Sequence, residues 1–547
     1  SGGPDQRYAR LERQRTMDFT LGGEHLFGKL KFDWKASYAQ AGEERPHERY
    51  LAFKKEGVAM NTDWSDIRRP YMSPADGQNI LLDKSNDNGF ELDELTEQFE
   101  DIKEKDLKFS ANFELPLVKG KYSNKLKFGA KVVDKNKDMW IDFYEYSPMD
   151  EDAFIADAFG HLQNENRDGY MGGDRYKVGN FVKKEYVGDL NLTDASQFEQ
   201  EIKYDEMCEN YEAHETVSAG YIRFDQQLGK KWNLMAGLRL ENTHVTYSGY
   251  VYDDGKESGK DESFTKTPEK SQSYINVLPS VLVKYDVNDD LKLRASFTNT
   301  LARPKYANLV PNVIIDKEDI AFGNPDLDPT LSYNLDLSAE YYFKSIGLVS
   351  AGLFYKKIND FIVDYRQNNY EYKGVTYEEM KQPRNAGDAD LFGVELAYQR
   401  DFSFIAPALK CIGFYGNYTY TYSKVKNFNF EGRENEDLRM PGSPEHTANA
   451  SLYFDKAGFN VRLSYNFASD FIDEVGEEAF YDRYYDKVNY MDLNASYTFG
   501  KKFKTTFYAE ATNLLNQPLR YYQGTPDRSM QAEYYGVRVN AGFKINF

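Results

Sequence analysis

No stretch of this 547-residue chain approaches the roughly 18 consecutive apolar positions that a membrane helix requires, and its mean hydropathy is −0.72. Helical membrane spans are thereby excluded. Cysteine is nearly absent: Cys208 and Cys411 are too few to staple a chain of this length, and two unpaired thiols are expected. Six histidines stand apart, with no HExxH and no close Cys/His spacing, so neither a metal site nor a cofactor is expected. The positive charge that nucleic acid demands is missing, since 88 acidic residues outnumber 68 basic ones for a net charge of −20. A nucleophile elbow of the GxSxG type and a Ser/His/Asp constellation are lacking as well, which argues against an enzyme. The opening SGGPDQRYAR has no charged-then-apolar leader, so any export signal is expected upstream or already removed.

What is present is aromatic and alternating. The chain holds 44 Tyr and 37 Phe, a composition suited to strands and to aromatic girdles. In the last fifteen residues Tyr535, Val537, Val539, Ala541, Phe543, Ile545 and Phe547 share one face, and Tyr534, Arg538, Asn540, Lys544 and Asn546 share the other. Similar runs recur, with Met491, Leu493, Ala495, Tyr497 and Phe499 opposing Asp492, Asn494, Ser496 and Thr498, and Leu291, Leu293, Ala295 and Phe297 opposing Lys292, Arg294, Ser296 and Thr298. Low mean hydropathy is compatible with membrane strands, because only every second residue meets lipid.

The connections alternate in length. Short ones fall at Lys119 to Lys121, Gly229 to Lys231, Val287 to Asp290, Lys344 to Gly347, Asp455 to Gly458 and Gly500 to Lys502. Long ones lie around 41 to 105, 135 to 211, 253 to 270, 303 to 330, 367 to 387, 428 to 439, 473 to 486 and 516 to 532. Long connections all at one end, short turns all at the other, describe an all-β fold: a transmembrane antiparallel β-barrel with long extracellular loops. Counting back from Phe547 gives about 17 strands, the first near Gln14 to Gly22 and running down from outside. Bacterial barrels close on an even number. Residues 1–547 therefore read as one barrel domain that lacks its first strands. Within the long connections, LDELTEQFEDIKEK (Leu92 to Lys105) and residues 148 to 163 have helical spacing.

From Arg294 to Ile362 the sequence closely resembles the barrel of TonB-dependent outer-membrane receptors. The matching pieces are FTNTLARP with Tyr306 and Leu309 after it, GNPDLDP from Gly323 to Pro329, the run Ser332, Asn334, Asp336 and Glu340, and FYKKINDFI from Phe354. NLLNQP (Asn513 to Pro518) and a terminal Phe547 are similar to the family's closing strands. The likeness spans 290 to 370 and 485 to 547, with a flavour of Bacteroidetes receptors. It implies a barrel of 22 strands, of which about 17 are visible here, plugged by a domain that this sequence lacks. It further implies residence in the outer membrane and energy-coupled uptake of a scarce ligand (siderophore, haem, vitamin, glycan or peptide). The implied partners are the TonB-ExbB-ExbD complex, reached through the plug, outer-membrane lipid and lipopolysaccharide, the barrel assembly machinery that reads Phe547, and a surface lipoprotein. A passive porin is the alternative.

Physically, Asn324-Pro325 and Asp328-Pro329 fix turns that return the chain to the barrel at a set angle. Arg303, Pro304, Gly323, Asn324, Pro325 and Pro329 are read as structural, with Arg303 expected to pair with Asp326 or Asp328 or to meet lipopolysaccharide phosphate. Ligand contacts are expected among loop aromatics and charges: Trp64, Trp140, Tyr144, Tyr146, Arg175, Tyr484, Tyr521 and Tyr522.

Overall fold

The computed structural model describes residues 11–546 except 88, 119–121, 174, 254–261, 317–318, 345–346, 386, 427, 429–432, 434–435 and 502. Its frame is one antiparallel wall of seventeen strands: β1 Arg13–Phe27, β2 Leu30–Lys54, β3 Glu91–Pro116, β4 Asn124–Pro148, β5 Tyr211–Leu228, β6 Trp232–Asp253, β7 Lys270–Asp286, β8 Leu291–Ala302, β9 Thr330–Tyr342, β10 Gly347–Asn359, β11 Asp388–Asp401, β12 Ile412–Lys426, β13 His446–Lys456, β14 Phe459–Ala468, β15 Val488–Phe499, β16 Lys504–Thr512 and β17 Arg538–Asn546. Each pairs with the next, from Phe27↔Leu30 at one side to Lys504↔Asn546 at the other. Among the described residues no ladder joins β1 to β17. The first strand contains the expected Gln14 to Gly22, and the expected Lys119 to Lys121 turn and Phe547 fall outside the described residues.

Turn chemistry sets the register. Ala457 and Gly458 both have positive φ, 55° and 87°, which lets a two-residue hairpin follow the right-handed twist of its strands. With register fixed, side-chain alternation sorts the wall into two faces. Phe297, Leu335, Tyr355, Phe392 and Tyr422 stand opposite one another across five strands on the apolar face. Leu21, Ile275, Val539 and Phe543 on that face are all more than 60% exposed, which is tolerable only against lipid. The other face carries ion pairs: Lys125 and Lys127 with Glu114 (2.6 and 2.7 Å), Arg223 with Asp225 (2.6 Å), Arg239 with Glu241 (2.6 Å), and Lys284 and Lys292 with Asp286 (3.0 and 3.2 Å). A cavity of about 420 Å³ opens on this polar side, lined by Arg223, Asp225, Lys284, Arg294 and Asp336 among others.

β2, β3 and β4 are 25, 26 and 25 residues long, whereas about 9 to 11 suffice to cross the bilayer. Their upper halves rise beyond it. This corrects the helical reading of Leu92 to Lys105, which is strand, paired on one side with Gln40 to Phe53 and on the other, from Thr96 on, with Glu145 down to Asn136. The cause is burial on both sides: Leu95, Thr96 and Glu97 are consecutive and each no more than 5% exposed, so the period-2 signal vanishes where loops cover both faces. The second helical reading holds as α1, Glu151–Gly160, whose N-cap Asp150 accepts from the Ala153 N–H. Arg49 donates to the Val187, Gly188 and Leu190 carbonyls at the end of the helix Lys184–Asp189 and to Glu97, fastening this loop to β2.

The hydrophobic cores lie around the loops. One joins Ile320, Tyr365, Met380, Phe428, Leu438 and Ile472, drawn from four long connections, with Leu391 and Val425 of β11 and β12. Cys208 and Cys411 are both free. Burial pushes the Cys208 thiol up to about 11, leaving almost no thiolate near neutral pH. A maleimide at pH 7.5 is therefore expected to label Cys411 but not Cys208 in the native protein, and both after unfolding. Peptide mapping checks this, and native labelling of Cys208 would contradict the packing around it.

Candidate functional site: the roofed mouth of the barrel

Eight long connections emerge from the same end of the wall, and arginines lock five of them together. Arg433 is 2% exposed. Its Nη1 donates to Asp482 (2.5 Å) and to the Gly476 carbonyl (2.8 Å), and its Nη2 donates to the other Asp482 oxygen (3.0 Å) and to Glu436 (2.7 Å). That bidentate fork ties the connection 427–445 to 469–487. Arg366 pairs with Glu379 and reaches Glu474, while the Asn368 N–H donates to Glu477 (2.9 Å), adding the connection 360–387. Arg520, 1% exposed, pairs with Asp486 (2.9 Å) and donates from Nε to the Ile67 carbonyl (3.1 Å) and to Ser529 Oγ (2.8 Å). The Tyr534 hydroxyl donates to the Arg68 carbonyl (3.2 Å). The connection after β2 thus meets the one before β17, and the roof closes on itself.

The GNPDLDP segment bolts the roof to the wall. The Asn324 N–H and Nδ2 donate to the Asn308 carbonyl (2.7 Å) and the Pro383 carbonyl (2.9 Å); the Tyr247 hydroxyl donates to the Pro325 carbonyl (3.0 Å); Gln272 donates to the Leu327 carbonyl (3.0 Å). Leu309, Val310 and Leu327, essentially unexposed, pack on Tyr211, Ala213, Val245 and Tyr247 of the polar-side wall. Pro304 and Pro329 are buried at the two ends of the connection 303–329 that contains it. Arg303 departs from expectation: it pairs with Glu241 (2.6 Å) and lies 3.7 Å from Glu215, with Thr243 accepting as well, not with Asp326 or Asp328. Two carboxylates projecting from β5 and β6 toward the barrel interior take the guanidinium, while Asp326 and Asp328 stay exposed to solvent.

Five of the eight expected contact residues fall in two adjoining clusters. Trp64 is exposed beside Asp63, which pairs with Arg175; that guanidinium lies 4.9 Å over the Tyr71 ring. In the small sheet formed by Phe471–Glu474, Arg483–Tyr485, Leu519–Gln523 and Ser529–Glu533, Tyr484 and Tyr522 stack face to face, with centroids 5.0 Å apart and 2° between planes. Burial, then the bond to Asp470, pushes the Tyr522 phenol up; burial does the same for Tyr484, so both rings stay neutral. Tyr521 meets Tyr485 edge-on at 5.2 Å under Arg483. The Arg520 to Ile67 contact joins these two clusters. The remaining three lie elsewhere. Trp140 packs on Tyr250, on the same side of the wall as the lipid-facing residues, Tyr144 packs on Phe99, and Tyr146 is 3% exposed inside a loop core. Arg433, Arg520 and Arg366 are the site's organisers that sequence reasoning missed; nothing near them in sequence marks them.

Chemically, this mouth can stack flat rings and pair with charge of either sign. Among the described residues no group of three or more His, Cys, Asp and Glu side chains is arranged to hold a metal ion. In structure comparison the chain is similar to the closed form of the ferric-catecholate import receptor Fiu from E. coli K12, at 11% identity and TM-score 0.60, covering 98% of this chain and 64% of that one. It is also similar to the ferric citrate transporter FecA in its unliganded form (11%, TM-score 0.59, 98% and 62%) and to the siderophore receptor PiuA from Acinetobacter baumannii (11%, TM-score 0.56, 98% and 65%). The chain spans less than two thirds of the length of each. No curated protein matches it in sequence. The family model of the TonB dependent receptor-like β-barrel matches residues 7–514, and the chain belongs to that family of outer-membrane barrels.

Proposed function

We propose that this chain forms the barrel and roof of an energy-coupled receptor that captures a scarce ligand outside the cell and releases it inward. The observation that carries the reading is the match of the receptor-barrel model to residues 7–514, on a wall whose mouth is roofed by interlocked loops. A roof of buried arginine forks admits a ligand by binding it. A diffusion pore has no use for one. Trp64, Arg175, Tyr484 and Tyr521 are the contacts we assign to the ligand, because the two clusters that hold them adjoin at the mouth; Tyr522, buried like Tyr146, supports Tyr484 by stacking on it. The siderophore, haem, vitamin, glycan and peptide classes all offer the flat or charged groups such a surface holds. Coupling to the TonB-ExbB-ExbD complex, and a wall continued by further strands between β1 and β17, belong to the same proposal.

Full-length protein in planar bilayers is expected to be electrically silent, and short-term uptake of the ligand by cells is expected to collapse when the inner-membrane proton gradient is dissipated. Large steady currents, or uptake indifferent to the gradient, would instead establish a passive porin.

A further inference from the structure

One short connection differs from its neighbours at the periplasmic end. Residues 402–411, FSFIAPALKC, form two 3-10 turns, Phe402–Phe404 and Pro407–Cys411, without an acidic residue. Phe404 and Ile405 are 51% and 65% exposed, where Gly229 to Lys231 and Val287 to Asp290 present charge. The connection continues the lipid-facing wall: Tyr341 packs on Phe343 (5.2 Å between centroids), Phe343 on Tyr398 (6.4 Å) and Tyr398 on Phe414 (6.3 Å). This is an aromatic belt at the level where hydrocarbon gives way to headgroups.

Arg400 follows Tyr398 on the same face of β11, two residues nearer the strand end. Its guanidinium carbon lies 4.2 Å from the Phe343 ring centre and 4.3 Å from that of Phe404, so the cation is sandwiched and shielded from water on both sides. Among the described residues Arg400 forms no ion pair, and its Nε is buried without a hydrogen-bond partner. The adjacent Asp401 is committed to Ser403, accepting from its N–H (3.0 Å) and its hydroxyl. A guanidinium held rigidly, partly desolvated and in contact with no protein carboxylate among the described residues favours an anion from its surroundings.

We infer that the connection Phe402–Cys411 is an anchor in the inner leaflet of the outer membrane, and that Arg400 binds the phosphate of a phospholipid there. The planar fork matches two phosphate oxygens, Phe404 and Ile405 enter the acyl region, and Lys410 brings a second cation to the headgroups.

The test uses full-length receptor in nanodiscs of phosphatidylethanolamine and phosphatidylglycerol. In the variant Phe404→Trp the added emission is expected to be blue-shifted and quenched by phospholipids brominated on the acyl chain. In native mass spectra Arg400→Gln is expected to lower the number of retained phospholipids by about fivefold, with Arg400→Lys intermediate and millimolar inorganic phosphate unable to displace the lipid. Heat-modifiable migration confirms that each variant is folded. Unquenched, water-like emission from Trp at 404, unchanged lipid retention in Arg400→Gln, or displacement by inorganic phosphate would each overturn the assignment.

Discussion

Replacing Arg433 with Met is expected to loosen the roof while leaving the wall intact. Arg433 and Asp482 are each 2% exposed and share two hydrogen bonds. Removing the guanidinium strands the Asp482 carboxylate and the Gly476 carbonyl in a place water does not reach, at a cost of about 3 to 5 kcal/mol. Because every 1.4 kcal/mol is tenfold, amide exchange in the connections 427–445 and 469–487 should accelerate by at least about a hundredfold, with the wall ladders unchanged. The double variant Arg433→Met with Asp482→Leu should recover much of the protection, since an apolar pair in place of a buried ion pair is often neutral. Unchanged exchange in the single variant would show that the fork contributes nothing to the roof.

Gly323→Ala should be damaging by a different route. A Cβ at this position would lie 1.6 Å from the Val310 carbonyl oxygen and 2.8 Å from its carbon. Both are backbone atoms, and Val310 itself is fully buried in the core against Tyr247. No rotamer relieves such a clash, so the GNPDLDP segment must lift off the wall, a cost at or beyond the roughly 1 to 3 kcal/mol usual for overpacking. Expected outcomes are trypsin cleavage at Lys305 and loss of heat-modifiable migration. Gly160→Ala, where the added methyl meets nothing within 4 Å, serves as the silent control. Wild-type resistance to trypsin in Gly323→Ala would show that the segment accommodates the methyl.

These two residues also show what is legible in sequence. GNPDLDP was marked by its prolines and asparagine, and its structural role was readable because turn residues act locally. The wall was readable for a similar reason: one side of each strand meets lipid and the other the polar interior, so alternation survives from Leu291 to Ile545. It failed for Leu92 to Lys105, where loops bury both sides. Arg433 and Arg520 left no signal, because their partners are remote: Asp482 lies 49 residues from Arg433, and Ile67 lies 453 from Arg520. Arg303 stands out in the sequence, but its carboxylate partners depend on which side of β5 and β6 faces inward, which only the register settles.

The contacts from Arg520 to Ile67 and from Tyr534 to Arg68 bear on the order of folding. Their separations of 453 and 466 residues make them among the least local in the molecule. Bringing such distant segments together in a free chain would cost about 5 kcal/mol of closure entropy. The wall must already be curved when they form, which places them at the end of assembly. An intermediate stalled on the way into the membrane would present these two connections apart, with Arg520 and Ser529 lacking the Ile67 carbonyl, and a protease or antibody directed at 520–534 would distinguish it from the finished barrel.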